Sequence, residues 1–326
     1  NRRITISASS GIALYPMDNV DLDTLLRHAD QAMYQAKITG RNTSRLFNPE
    51  LNQQVIQKHH VVQRLREALL NDEFILHYQP EINMRTGEII AVEALIRWQH
   101  PQRGLLFPGD FLSDMEGSEL EFELGLWVIN SALQQLQYWQ QGGLDIVVSV
   151  NIAANHLHAK NFIQSLQQIV NRYHDIRPAS LQLEILESSA LGDVPTLSRI
   201  IDDCRERVGV LIALDDFGTG YSSLTHLRHL AANSVKIDQS FVRDMLEDAS
   251  DYNIVDGVIS LAKAFNRQVI AEGVETVEHG LMLLSMGCDH AQGYQIARPM
   301  PAQHIMNWCQ AYQLQPEWRE FHDNNV

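Results

Sequence analysis

A series of short apolar runs punctuates the chain, and each stops at a polar residue: IIAVE at Glu93, IVVSVN at Asn151, LQLE at Glu184, LIALDD at Asp215 and Asp216, SVKID at Lys236 and Asp238, QVIAE at Glu272, and the short CDHAQ at Gln292. Segments with apolar residues at helical spacing separate them. Runs of this length read as strands buried on both faces, and strands alternating with helices read as a parallel α/β sheet. In a closed (β/α)8 barrel the carboxyl ends of the strands converge on one mouth, where catalysis sits. The pattern therefore predicts a barrel that gathers acids in one place.

The first pair of runs departs from a uniform barrel. In FILHYQPEINMRTGEIIAVEALIRW two apolar segments flank MRTGE, and Gly87 offers the turn a permissive backbone. This predicts an antiparallel hairpin, with Gln79 on one strand beside Glu93 on the other. Arg97 follows Glu93 by four residues. If the chain turns helical or loops there, a guanidinium is ready for an anionic oxygen.

Ahead of the hairpin lie two other segments. Asn1 to about Phe47 reads as a unit cut off at its start: ITISASSGIALYP alternates like a strand, Pro16 and Asp18 mark a turn, LDTLLRHADQAMYQAK has helical spacing, and Gly40 ends that helix. So small a unit buries too little apolar surface to stand alone. Residues 48–71 carry apolar positions at Val55, Ile56, Val61, Val62, Leu65 and Leu69, which predicts one connecting helix. Its His59 and His60 are most simply solvent-facing or capping. The barrel is expected over 72–326.

Composition fits one large domain plus a fragment. The chain has 326 residues, 45% of them hydrophobic, and a barrel takes roughly 250. A formal charge of −15 argues against DNA or RNA as partners, which need clustered Lys and Arg. A small anionic ligand is compatible with it if metal ions or local arginines screen the charge. Cys204, Cys288 and Cys309 lie far apart without metal-ligand or disulfide spacing and fit a reducing cytoplasm. No run of about 18 apolar residues reads as a membrane span, although a longer parent protein could be membrane-tethered.

The chemistry follows from accumulation. One carboxylate at a strand end is usually a helix N-cap. Glu93, Asn151, Glu184, Asp215 and Asp216 together are another matter, because like charges cannot share a buried site unless cations join them. Hard oxygen ligands favour Mg²⁺ or Mn²⁺ over zinc. The adjacent pair Asp215 and Asp216 can serve two ions, as in two-metal hydrolysis at phosphorus. Lys236, expected to share a strand face with Asp238, is either a structural salt-bridge partner or a group that orients the attacking water. Glu272, released by Gly273 at a sharp turn, is a candidate general base for a water at the metals. Glu275 reads equally as an N-cap or a substrate contact. DDFGTGYSSL lacks the GK[ST] ending of a P-loop. Its Gly218 and Gly220 predict a mobile loop carrying Asp216, with Glu187, one helical turn past Glu184, accepting its hydrogen bonds.

Two resemblances carry these readings further. Residues 11–42, with GIALYP and ADQAMYQAK, resemble the C-terminal end of a GGDEF (diguanylate cyclase) domain, without the motif that names that family. Residues 72 to about 312 resemble an EAL-type cyclic di-GMP phosphodiesterase. The carriers are YQP at 78–80, Glu93-Ala94-Leu95, VNIAA at 150–154, LEILES at 183–188, LDDFGTGYSSL at 214–224, VKID at 235–238, AEGVE at 271–275 and AQGY at 291–294.

The second resemblance implies a modified TIM barrel with one antiparallel strand and hydrolysis of cyclic di-GMP to linear pGpG with Mg²⁺ or Mn²⁺. It implies metal ligation by Glu93, Asn151, Glu184 and Asp215, with Asp216 serving a second ion. Glu272 and Lys236 would activate or position water, and Glu187 would anchor the loop. Gln79, Leu95, Arg97, Asp238, Glu275 and Gln292 would surround the nucleotide or metals. It further implies a homodimer and upstream GGDEF and sensory modules. Two departures stand out. Gly117 and Glu119 replace the usual acid-then-glycine order, which is expected to reshape one rim of the cleft, and Ala153 replaces a common serine. A cyclic di-GMP receptor without turnover is the alternative class, and a hydrolase of another phosphodiester is a third.

Overall fold

The glycine at position 11 sets the geometry of the first unit. In the computed structural model, which describes residues 7–16, 20–38, 41–190, 194–219 and 227–324, Gly11 lies on a short strand β1 (Ser10–Ile12) pressed against helix α1 (Leu22–Ile38). A Cβ there would collide with the backbone of Ala29 and Met33. Asp21 caps α1 by accepting the Thr24 N–H at 2.8 Å. Ala32 and Ala36 bury the face that the close approach needs. Strand β2 (Ser44–Leu46) pairs parallel to β1, and helix α2 (Pro49–Leu70) follows, with Leu65 and Ala68 buried. The predicted strand ITISASSGIALYP pairs over Ser10–Ile12 alone among the described residues. Asn1–Ile6 and Gly40 lie outside them. The rings of His59 and His60 lie nearly perpendicular with centroids 6.4 Å apart, and no metal-ligating cluster among the described residues includes them.

Contacts divide the chain into a unit of residues 1–71 and one of 72–326. The larger unit contains β3 (Phe74–Asn83), β4 (Ile89–His100), β5 (Gly104–Leu106), β6 (Val147–Ile152), β7 (Leu181–Leu186), β8 (Leu211–Phe217), β9 (Ser234–Ile237), β10 (Gln268–Ala271), β11 (His290–Ala291) and β12 (Met300–Pro301). From β4 through β6, β7, β8, β9 and β10 to β11 every pairing is parallel. β3 then closes an eight-stranded barrel by pairing antiparallel with both β11 and β4. β5 and β12 are short additions at the rim.

The predicted hairpin is present in register, with Gln79 directly opposite Glu93. The expectation at Arg97 fails. The chain neither loops nor turns helical there but stays extended to His100. Arg97 shares the inner face with Glu93 because both lie on one strand four residues apart, an even offset.

Period-two alternation divides labour on the strands. Val148, Val150, Leu183, Ile185, Ile212, Leu214, Val235 and Ile237 are fully buried on the outer face beneath the helices. Their sequence neighbours Ser149, Gln182, Glu184, Lys236 and Ser234 point inward and are buried as well. TIM barrels usually fill the interior with branched apolar residues, whereas this one carries a polar interior. Among the described residues no helix is long and apolar enough to cross a membrane. All three cysteines are free.

Candidate active site

One ammonium organises the mouth. Lys236, fully buried on β9, places Nζ 2.6 Å from Glu272, 3.0 Å from Glu184, 3.3 Å from Glu93 and 4.0 Å from Asp215. These acids come from four other strands or strand ends, so the barrel's closure alone brings them together. Burial by itself would discharge the lysine, but the surrounding carboxylates hold its pKa well above the usual range.

The acids share the charge unevenly. Glu93 accepts amide N–H groups from Asn151 at 2.7 Å and Gln292 at 2.7 Å. Burial works to raise its pKa, yet Lys236 and these two donors keep it below the ordinary value. Glu184 has no such donors. Both its oxygens are buried without a directed hydrogen bond, and burial drives its pKa well above the carboxylate range. Glu272 is pushed up to about 8, again by burial first, with Lys236 opposing.

Asp215 and Asp216 are consecutive, so regular strand geometry would aim them to opposite faces. A bulge between Leu214 and Phe217 interrupts the β8–β9 register, and Asp216 adopts a left-handed φ of 53°. Aspartate tolerates that region better than most residues. As a result Asp215, Asp216 and Glu272 each offer an oxygen within 4.8 Å of one another. Burial and the neighbouring Asp215 raise Asp216 to about 7.

Glu187 opens a short turn directly after β7 rather than lying a helical turn beyond Glu184. Its Oε2 accepts the Gly218 N–H at 3.1 Å, which ties down the segment just past Asp216. The predicted mobile loop extends into residues 220–226, outside the described residues. Asp238 does not continue the β9 face. It caps the helix Gln239–Asp244 by accepting the Ser240 N–H at 2.8 Å, and its carboxylate stands beside Asp216. Gly273, with φ of 69°, packs against Gln239, and a Cβ there would lie 2.7 Å from that side chain.

Above the acids is a cavity of about 270 Å³. Glu93, Asp215 and Glu272 form its floor, with Gln79, Leu95, Arg97, Glu275 and Gln292 in the wall. Gln79 donates to the Ala297 carbonyl at 3.0 Å and accepts from Gln292 at 3.0 Å, so the two amides brace each other and Glu93. The reordered 110–120 segment contributes no residue to the lining.

Sequence reasoning found no sign of two wall residues, Gln239 and Pro299, and no role for Gly293 and Tyr294 of AQGY. Tyr294 is half exposed, with the Arg298 guanidinium 4.1 Å from its ring centroid. It also missed Glu81, buried inside the barrel near Glu93, Asp215 and Lys236, where burial raises it to about 7. Glu81 lies two residues past Gln79 on the same strand face, so the signal was available.

An all-oxygen donor set that includes the buried Glu184 Oε2, which has no hydrogen-bond partner, suits a hard divalent cation. Fold and site thus define an α/β barrel with an acid-lined, cation-ready mouth at the carboxyl ends of its parallel strands. Residues 62–299 match the model of the EAL domain, and the chain belongs to that family. Residues 1–43 match the model described as diguanylate cyclase, GGDEF domain.

Among curated relatives, the chain is 39% identical over 304 residues to the Pseudomonas aeruginosa protein named bifunctional diguanylate cyclase/cyclic di-GMP phosphodiesterase MucR, covering 93% of this chain and 44% of that protein. It is 39% identical over 306 residues to the Escherichia coli cyclic di-GMP phosphodiesterase PdeR, covering 94% and 46%. The chain thus spans a little under half the length of these relatives. The solved structure of the PaMucR phosphodiesterase in complex with c-di-GMP superimposes with a TM-score of 0.72 at 38% identity, over 76% of this chain and 99% of that one.

Proposed function

We propose that this chain is a divalent-metal-dependent phosphodiesterase that opens cyclic di-GMP to linear pGpG. The observation that carries the reading is the convergence of Glu93, Glu184, Asp215 and Glu272 on one buried ammonium beneath a cavity. The named activities of the relatives MucR and PdeR and the c-di-GMP bound in the PaMucR complex supply the substrate class.

Glu93, Asn151, Glu184 and Asp215 would hold one Mg²⁺ or Mn²⁺, and Asp216 with Asp215 a second. Asn151 suits this role because its N–H goes to Glu93, leaving its carbonyl oxygen for a cation. Bound ions would neutralise charge on phosphorus and lower the pKa of an attacking water.

The protein's own groups do the rest. Glu272, beside Asp215 and Asp216 at the cavity, is the group placed to accept the proton of an attacking water. Lys236, 2.6 Å away, holds the Glu272 carboxylate in place, and its charge offsets negative charge that builds on the attacked phosphate. Arg97, Gln79 and Gln292 face the phosphate and sugar, while Leu95, Tyr294 and Pro299 supply apolar surface for a base. Glu275 lies in the same wall, and Asp238 acts through Asp216. Glu187 fixes the turn that carries the aspartate pair. The same proposal takes 1–47 as the end of a GGDEF-like domain, 48–71 as a connector and 72–326 as the catalytic domain.

The test is turnover of cyclic di-GMP by the purified chain with Mg²⁺ or Mn²⁺, with chelator and Glu93→Ala as controls. Linear pGpG that falls at least about 100-fold in both controls is expected, in line with loss of a preorganised electrostatic contact. Binding without product would instead make the chain a receptor.

A further inference from the structure

We infer that Phe107 is a stacking platform for a nucleobase of the substrate and contributes to its affinity, an inference that rests on the reading above. The ring of Phe107 is 55% exposed, which is unusual for a residue so firmly placed. On one side Leu106 is buried on β5 and pairs with Trp98 of β4. On the other, Phe111 is fully buried, and the Phe107 N–H donates to Asp110 Oδ2 at 2.8 Å. Continuing the β4–β5 register by one residue sets Phe107 opposite Arg97.

Arg97 supplies the link to the site. It lines the cavity, is 5% exposed, and places its guanidinium 5.0 Å from the Phe107 ring centroid. One of its terminal nitrogens donates to the Ile96 carbonyl at 2.8 Å, and its buried Nε has no partner. A second exposed ring, that of Tyr294, lines the same cavity as Arg97. Tyr294 is likewise capped by a guanidinium, that of Arg298.

A ligand with two planar bases and two phosphates matches this wall. Arg97 meets an anionic oxygen through its unpaired N–H groups, while the free ring surfaces take the bases. Bases stack on aromatic rings whatever their identity, and each stack contributes substantially to affinity. Phe107 is not part of the cavity lining and joins it through Arg97, which lies over its ring and lines the cavity, so its contribution is to binding rather than to bond breaking.

The experiment compares Phe107→Leu, which keeps apolar bulk without an aromatic face, with Phe107→Tyr, which restores the face. Cyclic di-GMP turnover is read as KM and kcat separately, and a cyclic dinucleotide carrying 2-aminopurine in place of one guanine reports stacking by its fluorescence quenching. The leucine variant is expected to raise KM about ten-fold, the loss of one base stack, with kcat within about two-fold and the quenching lost. Tyrosine should restore both. An unchanged KM and quenching in Phe107→Leu, or a fall in kcat alone, would overturn the inference. A wild-type chain that neither binds nor hydrolyses the cyclic dinucleotide would overturn the functional reading instead, and this inference with it.

Discussion

Replacing Lys236 with methionine tests the electrostatic logic of the mouth directly. The side chain keeps its length and loses its charge, leaving Glu272, Glu184, Glu93 and Asp215, formerly 2.6 to 4.0 Å from the ammonium, without it. Removing one partner of a fully buried ion pair costs about 3–5 kcal/mol, because the remaining charge has neither water nor a counter-ion. In a domain this large each kcal/mol moves the melting midpoint by about 2–4 °C, so a loss of about 10 °C is expected in chelator. On the proposed reading divalent ions would occupy the same ring of acids, and they should return part of that loss. The assay is thermal unfolding of wild type and Lys236→Met, each in chelator and in saturating Mg²⁺. A deficit of the same size with and without Mg²⁺ would refute the reasoning, and so would no deficit at all.

Two further outcomes follow from the same geometry. Asp216→Asn keeps a residue that accepts the left-handed φ of 53° while removing a charge that burial and Asp215 disfavour, so stability in chelator should not fall as turnover falls about 100-fold. Equal losses of melting temperature and activity would contradict it. In metal-free protein, burial raises Glu272 to about 8 and Glu81 to about 7, from 4.5 when unfolded, and Asp216 to about 7 from 3.8. The native state therefore binds more protons than the unfolded chain between those values, and the stability present below about pH 4 is lost as pH climbs towards 8. The melting midpoint in chelator should fall from pH 6 to pH 8 and flatten with Mg²⁺, whereas a rising midpoint would contradict the account.

Much of the architecture was legible because its causes are local. Apolar runs ending in acids specify strands whose carboxyl ends are polar, and MRTGE between two such runs specifies the hairpin that sets Gln79 opposite Glu93. Even-numbered spacing shows that Gln79 and Glu81, or Glu93 and Arg97, share a face. The acids at 93, 184, 215 and 272 could be counted on for the same reason, since each closes its own run.

What needed the folded chain depends on two elements meeting. Period-two alternation says that Asp215 and Asp216 point apart, and only pairing with β9, with its bulge after Leu214, turns both to the mouth. Asp238 read as a strand residue, but the strand ends at Ile237 and its carboxylate caps a helix instead. Which carboxylate stays charged was equally hidden. Glu93 receives two amide donors and Glu184 none, and those donors come from residues 58 and 199 positions away. Phe107 gave no signal, because an exposed aromatic in a loop is an ordinary residue until a guanidinium from another strand lies across its ring. Sequence by itself determined the strands, their direction and the supply of acids, since these follow from backbone periodicity and side-chain polarity within a few residues. Tertiary structure decided which charges are shared, shielded or left open, because burial and partner distance exist only once the barrel has closed.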